Sequence, residues 1–401
     1  EGQIANFLAN PNLRNIVTQV VGGDPSIING LLQVTGGNPN FYLLNPSGIV
    51  FGANAQLNLP ASFAATTATG MQFGDRWLHA AGSNDYSALL GDPTAFSFGN
   101  AVSGAIVNAG NLTVGTGSTL ALLGGTVINT GQLTAPTGQI LITAVPGEST
   151  IRLTLPGYIL ALELDAPVVD GDQPQTWQLP ITALPALLTT VLSPASLGLA
   201  VSNEGSVQLA NGTTVPDRPG TTVVSGEIDV SGEQGGTAAV LGDRVGLVNA
   251  QINASGTEGG GTILVGGNYQ GAGNVPTAQR TSVDGTTTLT ADALEIGDGG
   301  TIIVWADDTT DFFGNLTAIG GQVFGDGGFA EVSGQEKLSF FGTADLSGPN
   351  GRPGALLLDP TDIVISNDPA IATISQAAVE AMAGNFDISF VASGNISIQS
   401  L

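Results

Sequence analysis

Val107-Asn108-Ala109-Gly110-Asn111-Leu112-Thr113 returns 21 positions later as Ile128-Asn129-Thr130-Gly131-Gln132-Leu133-Thr134. Each copy reads as apolar residue, Asn, small residue, Gly, then a polar-Leu-Thr alternation: a turn followed by a short strand. A unit of this length is too short for a sandwich or a four-stranded propeller blade. It suits one coil of a solenoid that gives one strand to each of several parallel sheets. Asn108 and Asn129 are then expected at equivalent corners, because Asn tolerates left-handed backbone and satisfies nearby backbone groups. Asn203-Glu204-Gly205-Ser206-Val207 reads as a looser third copy. A second pattern, an apolar residue followed by a glycine cluster and an apolar run, recurs at residues 228–241, 252–265, 316–332 and 344–358.

The composition agrees. The 401 residues include Gly 59 and Pro 21, which without a three-residue period means many turns rather than collagen. Aromatics are only 5%, as suits a narrow core of stacked Val, Ile, Leu and Ala about 4.8 Å apart from coil to coil. Lys+Arg 8 against Asp+Glu 33 gives a net charge of −25, which excludes counterion-release binding to nucleic acid. With no cysteine there is no disulfide, thiolate nucleophile or cysteine zinc site. Only one His (His79) and one Lys (Lys337) occur, which removes most nucleophilic and proton-shuttling arrangements. No catalytic residue, cofactor or metal site is expected.

Two segments break the period. Residues 149–202 carry an apolar stretch at 153–164 around Pro156-Gly157 and then a charge-free, Pro-rich piece, which reads as a hairpin excursion with a short helical or extended extension. Pro185 and Pro194, with Thr189, Thr190 and Ser193, make residues 183–201 unsuited to a membrane span. Near the end, Asn367-Asp368-Pro369 offers a cap and an N1 proline, with Ile371, Ile374, Ala378 and Met382 on one helical face and Gly384 as a stop. The expected division is 1–148, 149–202, 203–366 and 367–401, with roughly 15 coils at about 22 residues each.

Three Asn-Pro tetrads fall in the first 50 residues: Asn10-Pro11-Asn12-Leu13, Asn38-Pro39-Asn40-Phe41 and Asn45-Pro46-Ser47-Gly48-Ile49. The last fits a type I turn, with Asn at i, Pro at i+1 and Gly at i+3. The first and last, joined through residues 37–44 and continued by Phe51-Gly52 and Ala61-Ser62-Phe63-Ala64-Ala65-Thr66-Thr67, resemble the secretion domain of two-partner secretion exoproteins of the filamentous-haemagglutinin type. The resemblance covers about residues 1–145. Gly266-Gly267-Asn268-Tyr269, Val304-Trp305-Ala306-Asp307, Gly328-Phe329-Ala330-Glu331-Val332-Ser333-Gly334 and Leu356-Leu357-Leu358-Asp359-Pro360-Thr361-Asp362 resemble the continuation in cyanobacterial members.

The resemblance implies a right-handed parallel β-helix, exported unfolded through an outer-membrane barrel transporter. It assigns secretion to Asn10, Pro11, Asn12, Leu13, Asn45, Pro46, Ser47, Gly48 and Ile49. Ser47 stands where Asn is commoner in that family, and the family's N-terminal cap and leader are expected to be missing before Glu1. The chain is then expected to be an extracellular, non-enzymatic surface exoprotein or adhesin of a Gram-negative-type bacterium, binding a glycan or protein receptor or associating into fibres. Two other classes compete. Asp307, Asp308 and Asp311 are the candidate carboxylates of a polysaccharide-degrading β-helix enzyme, and end-to-end stacking of coils would make a filament or sheath subunit. Gly297-Asp298-Gly299-Gly300 and Gly325-Asp326-Gly327-Gly328 faintly resemble calcium β-roll turns but lack the full repeat. They read as solvated corners, and His79 as a loop or packing residue. Asn-x-Ser/Thr sequons at Asn111, Asn211, Asn253, Asn315 and Asn395 read as turn-then-strand grammar.

Overall fold

A computed structural model describes residues 3–152, 161–163, 178–190, 192–368, 370–382 and 384–399. The chain forms two compact units: residues 1–134 with 141–223 and 274–276, and residues 135–140 with 224–273 and 277–401.

The first unit is a parallel β-helix whose chain visits three faces in turn. Face A takes Ile4–Leu8, Leu31–Thr35, Gln56–Asn58, Asn111–Thr113 and Gln132–Thr134; face B takes Asn15–Gln19, Asn40–Leu44, Phe63–Thr66 and Thr119–Gly124. Face C takes Ser26–Ile28, Ile49–Phe51, Ala105–Asn108 and Thr126–Asn129. Side chains in register stack: Leu32 on Leu57, Leu112 on Leu133, Phe41 on Phe63, and Phe63 on Leu120, all buried. The two repeat copies lie in register, Asn108 opposite Asn129. Both asparagines are fully buried, and Asn108 Nδ2 donates to Asn129 Oδ1 at 2.7 Å while Asn108 Oδ1 accepts from Gly110 N–H at 3.1 Å. A buried amide is tolerable because its polar atoms find partners, on the next rung or two residues along the same coil.

Face B of this unit is covered by an antiparallel sheet in the order Arg76–His79, Gly70–Phe73, Pro93–Phe98, Ser149–Arg152, Ala161–Glu163. Met71, Phe73, Phe96, Phe98 and Ile151 pack there on Tyr42, Leu44, Ala64 and Leu123. The antiparallel pair of Ser149–Arg152 with Ala161–Glu163 agrees with the hairpin read at residues 149–202, whose connecting residues 153–160, with Pro156-Gly157, lie outside the described residues. The larger part of this sheet, residues 70–98, was not anticipated, because it carries no repeat and its strands are separated by Gly-Asp turns. The supposed third copy of the repeat is corrected as well: residues 202–206 are the turn of an antiparallel hairpin between Leu199–Val201 and Val207–Leu209.

The second unit repeats the three-faced plan. Its face A stacks Ile228, Ile252, Leu289, Leu316 and Ala344 in register. Face B runs Thr237–Leu241, Thr262–Val265, Thr301–Ala306, Phe329–Gly334, Ala355–Leu358 and Asp387–Phe390. Face C includes Arg244–Leu247, Arg280–Val283, Thr309–Phe312 and Lys337–Phe340. The glycine clusters mark corners where coils touch backbone to backbone: a Cβ at Gly300 would lie 2.1 Å from the Gly261 carbonyl oxygen. The coils are longer and fewer than about 22 residues each would give, and among the described residues each unit has five face-A strands.

After face A, Asp229, Asn253 and Asp345 each accept the N–H of the serine two residues on at 3.0 Å. In an intervening coil Asp292 accepts instead from Ile319 N–H at 2.8 Å and Thr317 Oγ1 at 3.1 Å, and burial holds its carboxyl above the usual carboxylate range. The C-terminal helix is Gln376–Met382, shorter and later than expected. Asp368 caps a separate turn, its Oδ1 accepting from Ala370 N–H, whereas Asn367 Oδ1 and Ser375 Oγ accept from Ala377 and Ala378 at the helix start. Ile374 belongs to the short strand Ile374–Ser375, Ile371 is exposed, and only Ala378 and Met382 of the expected face are buried in the helix. Among the described residues no helix is long and apolar enough to cross a membrane.

Candidate functional site

Asn45-Pro46-Ser47-Gly48 carries the chain from the face-B strand Asn40–Leu44 to the face-C strand Ile49–Phe51. Gly48 N–H donates to the Asn45 carbonyl at 3.2 Å and Asn45 Oδ1 accepts from Ser47 N–H at 3.0 Å, so an Asx turn lies inside the β-turn. Gly48 has φ +127°, a region that favours glycine. The remaining bonds reach other coils: Asn45 Nδ2 donates to the Asp24 carbonyl at 2.9 Å and to Ser26 Oγ at 2.8 Å, and Asn45 N–H donates to the Thr66 carbonyl at 3.0 Å. Asn45 and Ser47 are fully buried, and Ser47 Oγ has no hydrogen-bond partner among the described residues.

Residues that sequence reasoning passed over enclose this corner. Gly104 lies so close that a Cβ there would be 2.4 Å from the Pro46 carbonyl oxygen. Its signal was legible: Gly104 and Gly125 precede face-C strands in successive coils, and Gly125 N–H donates to the Gly104 carbonyl. Thr182 N–H donates to the Ser47 carbonyl at 3.4 Å, and Leu187, in the helix Leu184–Thr190, lies against Gly48. Thr182 and Leu187 of the charge-free segment thus cover the Asn45 corner, a role that no local spacing could reveal.

Asn10-Pro11-Asn12-Leu13 has the same local grammar in another setting. Asn10 Oδ1 accepts from Asn12 N–H and the Asn10 carbonyl from Leu13 N–H, both at 2.9 Å. All four residues are exposed, and no side-chain bond of this tetrad to another coil occurs among the described residues. Leu13 and Arg14 line an open cavity of about 300 Å³ with Val17, Phe73, Leu78 and Tyr86. Asn38-Pro39-Asn40-Phe41 differs from both: Asn40 and Phe41 are strand residues, with Asn40 Nδ2 donating to Asn15 Oδ1 at 3.1 Å and Phe41 in the core between the rings of Phe7 and Phe63.

The candidate carboxylates of the enzyme reading all have structural partners. Asp307 accepts from Trp305 Nε1 at 2.9 Å and Thr277 Oγ1 at 2.6 Å; Asp308 accepts from Thr309 Oγ1 at 3.0 Å. Asp311 pairs with Arg280 at 2.6 Å, so a basic partner absent from its own segment comes from the preceding coil. The acidic glycine turns stack on each other: Asp326 N–H donates to Asp298 Oδ1 at 2.7 Å, and Arg352 donates from its backbone N and its guanidinium to Asp326. Arg352 holds the Asp326 carboxyl below its usual range. Among the described residues no group of three or more His, Cys, Asp or Glu side chains is arranged to hold a metal. His79 is a strand residue whose N–H donates to Asn84 Oδ1 at 2.7 Å.

The model of the TPS secretion domain family matches residues 1–173, a stretch that contains both Asn-Pro corners and the strands between them. Residues 1–173 are thus similar to a secretion domain of that family, in line with the resemblance carried by the Asn-Pro tetrads. Among solved structures it is similar to the HMW1 secretion domain from Haemophilus influenzae, with 22% identity over 88% of this chain and 89% of that one and a TM-score of 0.42. No curated protein matches it.

Proposed function

We propose that the protein is a non-enzymatic surface exoprotein that leaves the cell through an outer-membrane barrel transporter. Asn10 to Leu13 and Asn45 to Ile49 serve export, and the second solenoid unit is the working surface of an adhesin or fibre. The match of the TPS secretion domain model to residues 1–173 carries this reading. An absence of cysteine suits a chain threaded unfolded, since a disulfide would close a loop too wide to pass. A solenoid offers broad sheet faces, suited to shallow, multivalent contact with a glycan or protein receptor or with further copies. The structural partners of Asp307, Asp308 and Asp311 favour this over the polysaccharide-degrading alternative.

Co-expression with a two-partner transporter tests it. Asn45→Ala combined with Gly48→Ala is expected to lower extracellular yield sharply while intracellular synthesis is unchanged. Undiminished yield would remove the export role of that corner, and sugar release that disappears in Asp308→Asn would move the protein to the enzyme class.

A further inference from the structure

Glu331 occupies a place in the second unit where an aliphatic residue is expected. Register on face B aligns it with Leu264, Ile303 and Leu357, and all four residues are buried. Glu331 itself is 0% exposed. Its Oε2 accepts from Gln270 N–H at 2.9 Å, while Oε1 is buried with no hydrogen-bond partner among the described residues. An ionised carboxylate so placed has lost its hydration, and the Gln270 N–H and the Ser333 side chain replace it only in part, so burial still favours the neutral acid.

The cover over this face is residues 266–273, a run of Gly266-Gly267-Asn268-Tyr269-Gln270-Gly271-Ala272-Gly273. It is pressed on Trp305: a Cβ at Gly271 would lie 2.8 Å from the indole ring, and one at Gly267 at the same distance. Trp305 is 5% exposed, and its Nε1 is held by Asp307. Gln270 adopts φ +50°, a left-handed conformation unusual for this residue type, and in it directs its N–H to Glu331. The Gln270 side chain reaches Asp359 at 3.4 Å, and Tyr269 sets its ring edge-on to Phe329 with centroids 5.7 Å apart. One strained residue therefore ties the cover to an acid in an aliphatic column.

We propose that residues 266–273 are a pH-sensitive clasp, shut over Trp305 while Glu331 is protonated and loosened when Glu331 ionises. The titratable groups facing it are Asp359 beyond the strand Ala355–Leu358, Asp307 beyond Thr301–Ala306, and the Tyr269 phenol of the clasp. None of these strands, nor Phe329–Gly334, nor the clasp contains Lys, Arg or His, so no cation is available there to stabilise the ionised form. Burial first, and then the charge of Asp359, push the Glu331 carboxyl up. The sign follows: a carboxyl whose pKa is higher in the shut form than in the open one favours the shut form as pH falls, and this preference is lost as pH rises through the shut-form value. Opening would bare the indole of Trp305 and the ring of Phe329 on a face that is otherwise covered.

Amide hydrogen exchange of the whole chain, read by mass spectrometry on peptides spanning residues 264–275 and corrected for intrinsic rates, tests the clasp. Protection is expected to rise about tenfold for each unit by which the two pKa values differ as pH is lowered from about 8 to about 5. Glu331→Gln is expected to hold protection flat and high, and Asp359→Asn to move the midpoint to lower pH. Flat protection in the wild type, or a Glu331→Gln variant that follows the wild-type curve, overturns the proposal. If Glu331→Gln does not fold by circular dichroism, Glu331→Met takes its place, and the wild-type titration decides by itself.

Discussion

The Asn-Pro corners at Asn10 and Asn45 make the same Asx-in-β-turn bond and differ in everything beyond it. Asn45 donates its Nδ2 to Asp24 and Ser26 in a neighbouring coil and is buried in a turn whose Ser47 and Gly48 meet Thr182 and Leu187, whereas Asn10 keeps to its own tetrad and stays exposed. The motif by itself specifies a turn; the neighbouring coils decide whether that turn is also a rivet. If export reads the unfolded motif, both corners should matter alike. If export depends on the first coils assembling, the buried corner should dominate.

Gly104→Ala tests the rivet most severely. A Cβ driven onto the Pro46 carbonyl should cost about 3 kcal/mol or more, seen as a lowered denaturation midpoint, and wild-type stability would show that the corner can yield. Asn45→Ala should follow at about 2–3 kcal/mol, because it leaves Ser47 N–H and the Asp24 carbonyl without the bonds they make to Asn45, while Asn10→Ala should stay within about 1 kcal/mol. Equal losses for the two would erase the contrast between the corners. Secretion of the same pair then separates the two modes: a large export defect in Asn10→Ala with little change in stability marks a tag read in the unfolded chain. Ser47→Ala should be neutral or slightly stabilising, since its hydroxyl is buried without a partner; a loss above about 1 kcal/mol would reveal a partner.

Much of the solenoid was legible. The Asn108 and Asn129 copies, Ile228 with Ile252, and Leu316 with Ala344 all stack as their spacing implies, because stacking requires the same chemistry at each rung. Leu289 escaped because its coil closes only after a long excursion: it registers with Ile252, 37 residues earlier. Of the candidate site, both tetrads were visible as turns, but their opposite burial was not, since Gly104, Thr182 and Leu187 are distant in the chain. The Arg280–Asp311 pair was hidden likewise, by a separation of 31 residues.

Local pattern was enough to establish coil, turn and strand, together with the acidic, cysteine-free character of the chain, because those depend on residue type and short spacing alone. Which corner is buried, which sheet covers face B of the first unit, and which carboxylate loses its water depend on residues brought together from different coils. Burial is a property of neighbours in space, and a linear chain does not name them.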